Sequence, residues 1–271
     1  MKLIKNLNLG ILNIILINLI TILAISFNIK SLITDGVIKE TIKQRITTNE
    51  TSQEIIENDK INKLLENEEV KDLLDKYLDI TIEGIIDKEK LNEITLEKDM
   101  INYLKANKDI LEKEFGTEIT DEMFTKALEY LDSNELSNIY KQNITNVNQN
   151  LPKEAKIILK GYNILISIKF KIILLITIVL NLFMIALIKK SYYKWLNSLG
   201  ISLLLAGSGI SIMSFLVNFI IINLSELSKF NTNKLSFNGL ILIIIGIVLL
   251  IIKKVIEKHI KENINEVSKI S

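Results

Sequence analysis

Leu235-Ser-Phe-Asn-Gly-Leu-Ile-Leu-Ile-Ile-Ile-Gly-Ile-Val-Leu-Leu-Ile-Ile252 contains no charged side chain, and its only polar groups, Ser236 and Asn238, stand at its start. A run of this kind decides the fold class. One Lys or Asp at the centre of a membrane helix costs about 2.5 to 3.5 kcal/mol. A helix rising about 1.5 Å per residue needs roughly 20 apolar residues to cross a hydrocarbon core about 30 Å thick. Three more charge-free runs accompany it: Leu9 to Ile29, Ile172 to Ile188, and Leu199 to Asn223. The second is short, but Phe170 extends it if Lys169 and Lys171 snorkel toward the headgroups. The pattern predicts an all-α integral membrane protein with about four transmembrane helices. A second reading of the first run is a cleaved signal peptide, with Lys2 and Lys5 as its basic region and Ala24-Ile25-Ser26 as its small-residue site.

Of the 271 residues, 48% are hydrophobic while 24% are charged, so two solvents are involved. The formal charge of +1 hides an asymmetry. Lys30 to Lys171 holds 21 Lys and Arg against 28 Asp and Glu, whereas the remainder holds 12 against 4. An acidic polar part repels phosphate, which argues against nucleic acid as a partner. With no Cys, the chain has no disulfide, thiolate metal site or lipoprotein anchor, and a single His259 disfavours His-based chemistry. Ile, Lys and Asn are abundant enough to suggest an AT-rich bacterial genome, and the weight given to any one Asn is discounted accordingly.

Short basic flanks stay in the cytoplasm, whereas long domains cross regardless of charge. Lys2 and Lys5, then Lys189, Lys190 and Lys194, then Lys253, Lys254, Lys258 and Lys261 all belong inside on this rule, and both termini with them. The predicted organisation is a transmembrane helix over 1–29, an extracytoplasmic helical domain over 30–167, a three-helix transmembrane domain over 168–252 and a cytoplasmic amphipathic tail over 253–271. In the tail, Ile256, Ile260, Ile264, Val267 and Ile270 share one face. It continues the fourth span, lies on the inner leaflet or docks a partner.

Within the acidic domain, Leu64, Leu65, Leu73, Leu74, Tyr77 and Leu78 recur at helical spacing. Thr95 is placed to cap a helix running to Phe115, with Gly116 as its stop, and Thr120 and Ser133 to begin two more. Asp121, Glu122 and Glu135 suit the positive ends of those two. Pro152 suits a first turn. The helix after it is expected to enter the membrane unbroken, with Ile157, Ile158, Tyr162, Leu165 and Ile168 packing as a stalk against Val37, Ile38, Ile42 and Ile46.

The stretch Asp79 to Lys90 imitates a calcium loop, with Asp79, Thr81 and Glu83 at alternating positions and Gly84 at the turn. It fails where a bidentate carboxylate is required, because Lys90 stands there. A solvated helix followed by a turn fits it better. Pairs such as Asp72 with Lys76 and Glu118 with Glu122 read as a solvated charged face. There is no phosphate loop and no serine elbow. No residue is assigned a catalytic, cofactor-binding or metal-binding role, and no cofactor is implied.

In the third span Ser198, Ser202, Ala206 and Gly209 recur every three or four residues, as do Gly207 and Ser211. This stripe predicts close packing against the second or fourth span. Asn13, Asn18, Asn181 and Asn218 are candidates for hydrogen bonds between spans, or, less simply, for a permeation path.

Lys189-Lys-Ser-Tyr-Tyr-Lys-Trp195 mixes charges attracted to anionic lipid with headgroup-level rings, which reads as an anchor. An N-terminal span, an acidic helical external domain and three spans with this turn inside resemble, in layout, uncharacterised four-span membrane proteins of AT-rich Gram-positive bacteria. That resemblance implies a topology and carries no activity, substrate or site residue. The expected function is a non-enzymatic cell-envelope protein whose external domain interacts with or senses another component, with the lipid bilayer and an envelope protein or a second copy as partners. The alternative is a small transporter or channel accessory subunit.

Overall fold

The computed structural model describes residues 2–34, 38, 63, 65–115, 120–131, 135–191, 193–224 and 232–270. Among them every regular element is helical: α1 Lys2–Ile33, α2 Glu68–Ile86, a 3-10 segment Lys88–Glu93, α3 Leu96–Phe115, α4 Asp121–Leu131, α5 Glu135–Asn150, α6 Lys153–Ile166, α7 Ile168–Lys189, α8 Trp195–Leu224 and α9 Asn233–Ile270. The chain divides into two compact units, Met1–Leu32 with Leu165–Ser271, and Ile33–Ile164.

The first unit holds α1, α7, α8 and α9, the four helices long and apolar enough to cross a membrane. Their outward surface is apolar: Ile173, Val179, Phe215, Phe237 and Ile251 are all exposed. In water that surface would be strongly unfavourable at roughly 25 cal/mol per Å². In lipid it is the matching solvent. Inside, Leu16 and Ile20 of α1 meet Ile178 and Ile185 of α7 and Leu203 and Ala206 of α8.

Small residues bring α8 and α9 together. Gly200 and Gly207 lie against Gly246 and Gly239 in antiparallel register, and a Cβ on Gly200 would stand 3.0 Å from the Gly246 carbonyl oxygen. Seven-residue spacing on both helices keeps the contacts on one face. Lipid offers no hydrophobic drive between helices, so backbone-to-backbone approach of this kind supplies the van der Waals contact. The predicted stripe is corrected in one respect. Gly209 is exposed with nothing within 4 Å of a Cβ, while Ser198, Ser202 and Ala206 are buried and Ala206 joins the core with α1 and α7.

The helix of the fourth span does not stop at Ile252. It runs to Ile270, braced by i,i+4 ion pairs from Lys253 to Glu257 at 2.9 Å and from Lys258 to Glu262 at 3.7 Å. Of the three options for the tail, the helix simply continues.

The expected unbroken passage from α6 into α7 is also corrected. Ser167 takes an extended conformation (φ −64°, ψ 137°), and its hydroxyl accepts the Phe170 amide at 3.2 Å, so a new helix is capped where continuity was expected. Tyr162 is buried, but Ile157, Ile158 and Ile168 are exposed. Ile38 is half-buried. Val37, Ile42 and Ile46 lie outside the described residues.

The second unit is built by local signals. Asn67 accepts the Glu69 and Val70 amides to cap α2. Thr120 accepts the Met123 amide at the start of α4, as its position suggested. Pro152 directly precedes α6 and its carbonyl accepts the Lys156 amide. Gly116 and Ser133 lie outside the described residues. Thr95 precedes α3 as expected, but its hydroxyl bonds to the Asp99 carboxylate rather than to a backbone amide. The imitation calcium loop is helix α2 through Ile86, and Gly84 serves contact there, since a Cβ would collide with Leu91. Ile85, Leu91, Ile94 and Ile144 form the core, with Tyr77, Tyr140 and Leu159 packed on it.

Candidate functional site

The second unit contains an apolar cavity of about 560 Å³ bounded by α2, α3 and α5. Val70, Leu73, Leu74 and Tyr77 line it from α2. Leu96, Met100, Tyr103, Leu104 and Leu111 come from α3, and Tyr140 from α5. The α2 set has i, i+3, i+4, i+7 spacing; Leu73, Leu74 and Tyr77 of it belong to the face that the sequence identified, and here they build a cavity wall.

Polar groups gather at one side. Asp99 accepts hydrogen bonds on one oxygen from Lys76 Nζ at 2.5 Å, the Tyr77 hydroxyl at 2.6 Å and the Thr95 hydroxyl at 3.1 Å. Burial alone would raise the Asp99 carboxyl's pKa, yet those three donors outweigh it and hold the pKa below the usual range. Burial, reinforced by the bond to Asp99, pushes the Tyr77 hydroxyl up, so it remains a donor at neutral pH. Tyr140 packs edge-on against Tyr77, with ring centres 5.8 Å apart, and donates to the Tyr77 carbonyl oxygen at 3.2 Å. Thr81 donates to the same Tyr77 carbonyl oxygen at 2.6 Å. The two aromatic walls are therefore fixed by hydrogen bonds as well as by packing.

A second concavity of about 370 Å³ adjoins the first through the shared Leu73 and Tyr103, and it is lined by Glu69, Asp72, Lys76 and Asp99. Lys76 pairs with Asp99 across α2 and α3, not with Asp72 as its sequence spacing suggested. Together the two spaces form a slot with an apolar body and a charged end. Concave, mainly apolar sites of about 300 to 1,000 Å³ with a few convergent polar groups are the usual form of a small-molecule site.

Two interactions tie α3 to the helices on either side of it. Glu97, buried on α3, accepts the Ser137 amide at 2.5 Å and bonds to its hydroxyl, so a carboxylate from one helix caps the first turn of α5. Asn107, also buried, interrupts α3 with non-helical angles (φ −118°, ψ 17°). Its amide donates to Glu69 and to the Tyr103 carbonyl oxygen.

The four intramembrane amides make no bond between spans among the described residues. Asn18 donates to the Ile14 carbonyl oxygen of its own helix at 2.8 Å, and the amide oxygens of Asn13, Asn181 and Asn218 are buried without a partner. A link between side-chain amides of two spans comes instead from Asn238 of α9, donating to Asn28 of α1 at 2.5 Å. Discounting Asn in an Asn-rich chain hid Asn67, Asn107, Asn28 and Asn148, whose amide caps the end of α2 at the Ile85 carbonyl oxygen. The chain matches no protein-family model, no curated protein and no solved structure.

Proposed function

We propose that the chain is a non-enzymatic, multi-pass cell-envelope protein whose helical domain, on the extracytoplasmic side, receives an amphipathic envelope component in its slot. The carrying observation is the apolar cavity of about 560 Å³, polar in its lining side chains only at the Tyr77, Tyr103 and Tyr140 hydroxyls, adjoined through Leu73 and Tyr103 by the concavity that holds Lys76 and Asp99. A ligand with an apolar body and a polar end satisfies both walls, whereas a wholly polar one leaves the aromatic side chains facing it unpaired. Burial of Leu16 and Ile20 among α7 and α8 supports retention of the first span, since a chain lacking it would expose that core. The basic flanks support both termini on the cytoplasmic side.

A photoreactive phenylalanine analogue at Met100 in the full chain in living bacteria should capture one specific envelope component. The narrowing substitution Leu104→Trp should abolish capture without loss of expression. Recovery of the same adducts from the exposed position Ile139 would sink the reading. For topology, Cys at Ser133 should react with an impermeant maleimide on intact cells and Cys at Ser191 should not; the reverse pattern inverts the orientation.

A second reading, a transporter or channel accessory subunit, draws on the buried, unpartnered oxygens of Asn13, Asn181, Asn218 and Ser202. Solute flux in proteoliposomes, lost in Asn181→Leu with folding intact, would favour it.

A further inference from the structure

The end of the membrane unit that carries the α7–α8 turn has a concavity of about 370 Å³ lined by Lys5 and Asn6 of α1, Lys189 of α7, Lys194 of the turn, Asn197 of α8, and Lys253 with Glu257 of α9. From this convergence we infer a binding site for a phosphate-bearing anion, with an anionic lipid headgroup as the principal source. The four lysines are spread over nearly the whole length of the sequence, and only the packing of all four membrane helices collects them.

Charge and chemistry point the same way. Among the described residues Glu257 is the one carboxylate in the lining, and it is committed to Lys253 at 2.9 Å. The wall therefore keeps an excess of three positive charges. Lys189 is half-buried, and its ammonium group donates to the Lys194 carbonyl oxygen at 3.2 Å and the Ser198 hydroxyl at 2.6 Å. Those two bonds fix its direction and leave a donor. Like charges held this close, partly out of water, repel unless an anion sits among them. The side-chain amides of Asn6 and Asn197 in the lining add further donors. Leu9 also lines the concavity and gives it an apolar edge continuous with the core of the membrane unit. A lipid headgroup is favoured over a free anion because its glycerol and acyl carbons use that edge. Basic pockets between membrane helices are a known form of phospholipid headgroup site. This inference stands apart from the slot in the other unit, and neither depends on the other.

Trp195 is the chain's single tryptophan and directly follows Lys194, so its emission reports on this end of the bundle. The purified full chain in phosphatidylcholine nanodiscs should show Trp195 quenching by brominated phosphatidylglycerol at roughly tenfold lower mole fraction than by brominated phosphatidylcholine. Replacing Lys194 and Lys253 with Gln should remove most of that preference, and replacing the same two with Arg should keep it. The pair Lys258→Gln and Lys261→Gln, outside the lining, should leave it intact. An unchanged Trp195 emission maximum in plain phosphatidylcholine certifies that each variant is folded. Displacement of the brominated phosphatidylglycerol by millimolar-range inorganic phosphate would reassign the source to a soluble anion. Equal quenching by both lipids with no effect of phosphate, or equal loss in the Lys258 and Lys261 pair, overturns the site.

Discussion

Gly207 and Gly239 meet so closely across α8 and α9 that a Cβ on Gly207 would stand 2.5 Å from the Gly239 carbonyl oxygen. The opposing atom is backbone and has nowhere to go, so a side chain there must separate the helices. Gly207→Leu should destabilise the full chain by about 1 to 3 kcal/mol, the usual cost of overpacking. Gly209→Leu, with open space around it, should change little. Thermal unfolding in detergent reads both, and similar losses at the two positions would reject the close contact.

Asn28 accepts from Asn238 at 2.5 Å and uses its own amide hydrogen on the Ala24 carbonyl oxygen at 2.6 Å. In a double-mutant cycle of Asn28→Leu and Asn238→Leu the coupling should be about 0.6 kcal/mol and at most about 1.7, the range for such bonds between membrane helices. Strict additivity would show that α1 is not joined to α9 there.

Acid should loosen α3 from α5. Burial opposes ionisation of Glu97, but the two bonds from Ser137 win and lower its pKa, as the donors to Asp99 lower that one. A carboxylate with a depressed folded-state pKa holds fewer protons folded than unfolded. Its stabilisation is therefore full above the ordinary value, about 4.3 for Glu, and fades as pH falls toward the folded value. Amide hydrogen exchange in α3 and α5 should accelerate relative to α8 on acidification below that point. In Glu97→Gln the acid dependence should shrink and the exchange should already be faster at neutral pH. A variant as acid-sensitive as the parent would remove Glu97 from the account.

Lys190 ends α7 in the left-handed region (φ 48°, ψ 44°), and its amide donates to the Leu187 carbonyl oxygen at 3.2 Å. A side chain in that conformation costs roughly 1 to 2 kcal/mol, more than the roughly 0.5 to 1 kcal/mol of extra backbone entropy that glycine loses. Lys190→Gly should therefore stabilise by up to about 1 kcal/mol, and Lys190→Val should destabilise. Thermal unfolding that ranks Val above Gly would contradict the cap.

The membrane helices were legible because their signal is one-dimensional. Charge-free runs such as Leu235 to Ile252 depend on length and composition, which a sequence states directly. Thr120 and Pro152 were legible for the same reason, since each acts on amides or carbonyls within four residues. Gly209 was misread because a stripe of small residues shows that a helix has a close neighbour but not on which side. The unbroken α6–α7 helix was misread because a single Ser, neutral in propensity terms, becomes a cap only when the backbone around it turns.

By itself, then, the sequence determined the helical class of the described residues and their four membrane-length apolar helices, because hydrophobic runs and local caps act over a few residues. Tertiary structure alone decided that Glu97 caps α5, that Asp99 takes Lys76 from another helix, that Asn28 finds Asn238, and that Lys5, Lys189, Lys194 and Lys253 share one concavity. Each of these joins residues distant in the chain, and a hydrogen bond or a Coulomb interaction depends on distances of a few ångströms that only the packed helices set.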